Sequence, residues 1–302
     1  MPPHLTKAEL EAKLREILEK WPLYREFTYL GADDAYVLPH LISLHCPTCK
    51  KDQLWERRVR TVNNRGVTVH VNDKRGYAEA IYECRNCHEE ECRFYFSWDG
   101  KPEASYRFVK VGQYPPLEER IPPELEKQIA GEDLEFYKRA LRCRNFNFGI
   151  AALAYLRRVV ENRMNDLLDL IAEAARHADY ATEDLRELEK VKASRVFDDK
   201  VSYAAAILPP GLKPGGANPI NLLHDLASEG IHHLSDGECI DVFDQSRAVF
   251  EHVFIELKVR EANDKSFLEG LSQLQKRKSK PGAAPAGAAP AARAKPEKQS
   301  AQ

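Results

Sequence analysis

A chain of 302 residues that is 43% hydrophobic and 30% charged has the composition of a globular protein with room for two domains. A net charge of −2 excludes a global electrostatic footprint for nucleic acid, and no apolar run approaches the roughly 20 residues that span a bilayer. The start, Met1-Pro2-Pro3-His4, lacks the basic and apolar regions of a secretory leader, so the expected compartment is the reducing cytoplasm, with no membrane partner.

The N-terminal segment, residues 1 to 39, is predicted to be helical. Thr6 caps a short amphipathic helix over 6 to 20, with Glu9 three residues on and Leu10, Leu14, Ile17 and Leu18 as its apolar stripe. Trp21-Pro22 ends it, because proline disfavours helix in the residue before it.

From 40 to 115 the texture turns to β. Residues 55 to 62 and 67 to 71 alternate around Asn63-Asn64-Arg65-Gly66, which reads as a hairpin turn. Further strands are expected at 80 to 82, 93 to 98 and 106 to 111, all rich in aromatic and β-branched residues. Two C-x-x-C knuckles flank this set, Cys46-Pro47-Thr48-Cys49 and Cys84-Arg85-Asn86-Cys87. Together they supply four thiolates, the ligand set of a closed structural Zn2+ site with no open position for chemistry. The spacing between the knuckles is longer than in the commonest ribbons, and the hairpin is read as an insertion, since a long loop costs little extra closure entropy. His45, His88 and Cys92 lie close enough in sequence to replace a knuckle cysteine. Arg57, Arg58, Arg60, Arg65, Lys74 and Arg75, followed by Phe94, Tyr95, Phe96, Trp98, Tyr106 and Phe108, interleave cations with rings as single-strand binding requires. The same alternation is also what the core of a small sheet produces.

Residues 116 to 123 form a linker between proline pairs. Over 124 to 275 the period becomes helical, with the strongest stripe in 148 to 175. Asn218-Pro219 reads as a cap followed by proline at the first helical position, and Ser235 with Glu238 as a capping box opening a helix to about 261. The tail, 276 to 302, is Lys, Arg, Ala, Pro and Gly, a composition expected to be disordered, either solubilising or an anchor for RNA, DNA or acidic partners.

The stretch Gly149-Ile150-Ala151-Ala152-Leu153-Ala154-Tyr155-Leu156-Arg157-Arg158-Val159-Val160-Glu161, with 218 to 234 and the long helix after it, resembles a bacterial family of helical domains of unknown function that is similar to the HEPN superfamily. The resemblance covers about 124 to 262. It implies an all-α bundle that pairs into a homodimer through its long helices, and a setting beside restriction or defence proteins. Active HEPN ribonucleases carry an arginine, four to six residues, then a histidine. Here His232 or His233 stands at the histidine position, while Asp225 to Ser228 fill the places where the arginine belongs. Arg157 or Arg158 could substitute, and either could join Glu229 and His232 in a polar cluster between helices; Arg157 and Glu161 can equally form an intrahelical pair. Arg247 and His252 match the pattern literally, but residues five apart on a helix point about 140° from one another.

The expected fold class is thus α+β: a small zinc-ribbon-like β domain, then an all-α HEPN-like bundle and a disordered basic tail. The expected function is a zinc-binding, non-enzymatic module for nucleic acid or protein with a regulatory or phage-defence role. The alternatives are a metal-independent HEPN-type endoribonuclease using His232 or His233, and a structural subunit of a restriction or defence assembly.

Overall fold

In the computed structural model the described residues are 2–30, 38–58, 67–72, 75–101, 105–117, 119–177, 187–208, 212–213, 218–223 and 233–279. The first helix, α1 (Lys7–Lys20), starts where its capping box places it: the Glu9 amide donates to Thr6 Oγ1 at 3.4 Å and the Thr6 amide to Glu9 Oε2 at 2.8 Å. Leu10, Leu14, Ile17 and Leu18 are buried against a sheet rather than against other helices.

That sheet has seven antiparallel strands: β1 (Glu26–Tyr29), β2 (Leu41–Cys46), β3 (Lys51–Arg57), β4 (Val67–Asn72), β5 (Arg75–Cys84), β6 (Glu91–Lys101) and β7 (Ser105–Tyr114). The order is β1-β7-β6-β5-β3-β2, with β4 also on β5. Arg57 pairs with Tyr82 while Val67 pairs with Ala80, so β3 and β4 follow one another along a single side of β5. Among the described residues β3 therefore pairs with β5 and not with β4 as the expected hairpin required; residues 59 to 66, with its turn, lie outside the described residues. Period-two alternation sends Phe94, Phe96 and Phe108 inward, to meet Trp55, Tyr82 and the α1 stripe in one core.

The helical half comprises α2 (Pro123–Gln128), α3 (Glu132–Asn145), α4 (Gly149–His177), α5 (Leu188–Ala193), α6 (Phe197–Ile207) and α7 (Asp236–Ser279), with a further helical stretch at 219 to 223. Asn218 caps that stretch through Ile220 at 3.0 Å, and Ser235 with Glu238 closes the box before α7. A second core, separate from the first, gathers Tyr137, Leu153, Leu156, Leu168, Phe243, Phe250 and Phe254.

Two expectations of fold class are overturned. The β part is not a small zinc ribbon over 40 to 115: β1 and α1 belong to the same core, because the α1 stripe needs the sheet face to leave water. The helical part does not close into an all-α bundle. Beyond Leu257, the last buried residue described on α7, the helix runs on to Ser279, with Phe267 and Leu274 exposed. The helix thus takes in Lys276, which composition placed in the tail; residues 280 to 302 lie outside the described residues.

Candidate metal centre

The two knuckles occupy two hairpin turns at one end of the sheet's strands. The first is the turn from β2 to β3, the second the turn from β5 to β6, and Trp55 of β3 pairs with Cys84 of β5, which brings the turns side by side. The turns are built alike. The Lys50 amide donates to the Cys46 carbonyl at 2.8 Å and the His88 amide to the Cys84 carbonyl at 3.0 Å. Lys50 (φ 55°) and His88 (φ 59°) both take left-handed backbone just past the second cysteine, which turns each chain back into its next strand.

As a result the sulfurs of Cys46, Cys49, Cys84 and Cys87 all lie within 4.8 Å of one another. Cys46 Sγ is 3.6 Å from Cys87 Sγ, and Cys49 Sγ is 3.9 Å from Cys84 Sγ. A tetrahedron with metal–sulfur bonds of roughly 2.3 Å has edges of about 3.8 Å, so the four thiols fit one metal ion. Cys46 and Cys84 are buried, Cys49 and Cys87 half-buried. Burial pushes the Cys46 thiol up, while the backbone amides of Glu89 and Glu90 pull the Cys87 thiol down towards about 7. The Asn86 side-chain amide donates to Cys49 Sγ at 3.2 Å, and the Cys49 amide to Cys46 Sγ at 3.4 Å, so polar hydrogens already point at the sulfurs.

The three neighbours named as replacements for a knuckle cysteine stand apart from this group. His45 Nδ1 faces Asp52 at 3.4 Å, and His88 Nδ1 faces Glu83 at 2.8 Å. Cys92 turns into the first core, where burial raises its thiol.

The sheet cations are mostly engaged. Arg58 meets Glu83 and Glu91, Arg85 meets Glu56, Arg93 meets Glu79 and Glu91, and Arg107 meets Asp99 and Glu26. Arg57 donates to the Leu38 carbonyl at 2.7 Å. Phe94, Phe96 and Phe108 are core residues, which leaves Tyr95 the ring exposed on β6. Arg60, Arg65 and Lys74 lie outside the described residues.

Of the helical candidates, Glu229 and His232 also lie outside the described residues, and His233 is exposed just before α7. Arg157 Nε binds Glu161 at 2.7 Å within α4, the intrahelical alternative. Arg158 lies over the Phe136 ring at 4.4 Å. On α7, Arg247 turns inward to Glu251 at 2.8 Å while His252 is exposed, so this literal pair does not converge.

A cleft of about 680 Å³ lies between the sheet and the helices, a feature sequence reading missed because its walls come from elements far apart in the chain. Trp55, His45, Leu117, Arg144, Arg247 and Glu251 are among its lining residues. At its helical wall the Tyr137 hydroxyl donates to Glu251 at 2.5 Å, and Arg144 holds Asp244 through two bonds of 2.9 and 2.6 Å.

Compared with protein-family models, curated proteins and solved structures, the chain matches none. The HEPN-like resemblance therefore rests on the sequence motifs alone. No helix among the described residues is long and apolar enough to cross a membrane.

Proposed function

We propose that the protein is a zinc-stapled, non-enzymatic protein-binding module, in which the ion is structural. The observation that carries this reading is the four-cysteine cluster. Soft thiolates select zinc among the common divalent ions, and four of them complete its tetrahedral shell. When bound, the ion supplies a cross-link, not a reactive centre. Cys46 and Cys49 anchor the β2–β3 turn to it, Cys84 and Cys87 the β5–β6 turn. The chain's own part is to hold these two hairpin ends together and to aim the Asn86 and Cys49 N–H groups at the sulfurs.

A protein partner is supported over nucleic acid by two observations. Arg57, Arg58, Arg85, Arg93 and Arg107 are committed to carboxylates or a carbonyl, and of the rings in the basic segment Phe94, Phe96 and Phe108 are core. The cleft between sheet and helices, with apolar and paired charged groups on its walls, suits a segment of protein better than a phosphate backbone.

Metal analysis of untagged protein tests the reading, with one zinc per chain expected. Cobalt substitution should give the intense sulfur-to-metal charge-transfer absorption of a thiolate site. Well under one metal per chain, with all four thiols titrating freely in the folded protein, would overturn it. Fluorescence anisotropy with labelled single-stranded RNA and DNA tests the partner class: tight binding that weakens steeply with salt would restore nucleic acid.

A further inference from the structure

We propose that the cysteine cluster is also an oxidative modification site, which a hydroperoxide converts into two disulfides that cross between the knuckles, Cys46–Cys87 and Cys49–Cys84. The proposal rests on the metal-binding reading only for the accompanying release of the ion.

The four cysteines can pair in three ways. All four sulfurs are mutually close, and the contacts of 3.6 Å for Cys46 with Cys87 and 3.9 Å for Cys49 with Cys84 favour the crossed set, whose two pairs share no residue. Exposure excludes the set that would join the two buried sulfurs, Cys46 and Cys84, to each other. Each crossed pair couples one half-buried sulfur, Cys87 or Cys49, with one buried sulfur, Cys46 or Cys84. The outer thiolate is the one a dissolved oxidant reaches first, and the inner one is a resolving partner already in contact with it.

The chemistry closes in two steps per pair. The Cys87 thiolate attacks the peroxide; its sulfur gains oxygen to become a sulfenic acid, the O–O bond breaks, and the departing hydroxide takes a proton to leave as water. The Cys46 thiolate then attacks that sulfur, the S–S bond forms, the S–O bond breaks, and a second proton carries the hydroxide away as water. Cys49 and Cys84 follow the same course. Two peroxides and four protons are consumed, four thiolates become two disulfides, and the ion loses its donors. Because both bonds run between the β2–β3 and β5–β6 turns, the oxidised chain keeps a covalent staple where the metal was. Disulfides within each knuckle would leave the two hairpin ends unlinked.

The test uses the full chain with its metal content measured first. Hydrogen peroxide is added stepwise, released zinc is read with a chelating dye, and the product is digested with trypsin without reduction after the remaining thiols are blocked. Cys46 and Cys49 share the peptide 26–50, whereas cleavage after Arg85 places Cys84 in 76–85 and Cys87 in 86–93. The expected product has lost four hydrogens, has released its zinc in step with that loss, and yields all three peptides joined, with fragmentation placing the bonds at 46–87 and 49–84. Peptide 76–85 joined to 86–93 alone, any other crossed pairing, uncross-linked sulfinic acids, or thiols that do not react would overturn it. A chain that carries no zinc at the outset but gives the crossed disulfides would defeat the metal reading and leave this proposal standing.

Discussion

Lys110 occupies an inward position of β7, in series with Tyr106 and Phe108, where alternation calls for an apolar side chain. It is fully buried, and among the described residues its ammonium nitrogen meets only neutral acceptors, the Leu18 carbonyl at 3.4 Å and Gln113 Oε1 at 3.3 Å. Burial, and then the Arg144 charge, lower its pKa to about 7. The unfolded chain holds this proton up to roughly pH 10.4. Between about pH 7 and 10 the unfolded state therefore binds one proton more than the native state, and raising the pH stabilises the fold, by at most about 1.4 kcal/mol per pH unit. Denaturant titrations across that range should show the rise, and Lys110→Met should flatten it while increasing stability at pH 7. A flat wild-type profile would count against a neutral buried amine. Lys50 offers a smaller residue-scale test. Its left-handed backbone costs a non-glycine residue roughly 1 kcal/mol. Lys50→Gly should leave zinc stoichiometry unchanged and raise stability by a few tenths of a kcal/mol, net of the extra freedom glycine gives the unfolded chain.

Elements pack closely where side chains permit it, and α4 meets α7 at Gly149. A Cβ there would sit 2.1 Å from the Asp236 carbonyl oxygen and 2.7 Å from the Cys239 side chain, both at the first turn of α7. Since backbone cannot step aside as a flexible side chain can, Gly149→Ala should destabilise the helical core by about 1–3 kcal/mol or more. Gly237→Ala, where an added Cβ meets nothing within 4 Å, should be neutral or slightly stabilising by the same denaturation assay. Helix starts of this kind were legible in the sequence because caps are local chemistry: Thr6 with Glu9, Asn218 with Pro219, and Ser235 with Glu238 each announce themselves within four residues. The knuckle cysteines were legible for the same reason. The sheet was not, because pairing is non-local. Nothing near Phe27 says that it opposes Phe108, and Gly76 to Glu79 lack the β-branched residues that would have extended β5 back from Ala80. The cleft was invisible for the same cause, its walls being assembled by pairings the sequence does not display.

At the scale of the whole molecule, the described residues form two hydrophobic cores joined by polar contacts. Arg25 holds Asp241 through bonds of 2.8 and 2.9 Å, Arg144 ties Asp244 to the Lys20 carbonyl, and the Leu23 amide reaches the Asn145 carbonyl at 2.9 Å. These junction contacts are polar and only partly buried, and bury little apolar surface between the units, so the cores are expected to lose structure separately. The chain carries its own reporters for this. Its three tryptophans, Trp21, Trp55 and Trp98, all belong to the α1–sheet unit, whereas helical circular dichroism comes chiefly from α3, α4 and α7. If the ion staples the sheet, chelation removes part of the free energy that folds that unit; structural zinc supplies about 10–16 kcal/mol in the smallest zinc domains, and a larger sheet with its own core should lose less, on the order of 2 kcal/mol or more. Chelator treatment should therefore move the tryptophan fluorescence transition to lower denaturant and leave the main dichroism transition at 222 nm where it was. Cys49→Ser should do the same without chelator. Coincident transitions that shift together would mean that the polar junction couples the two cores into one cooperative unit, and unmoved transitions would mean that the metal carries none of the stability of the sheet.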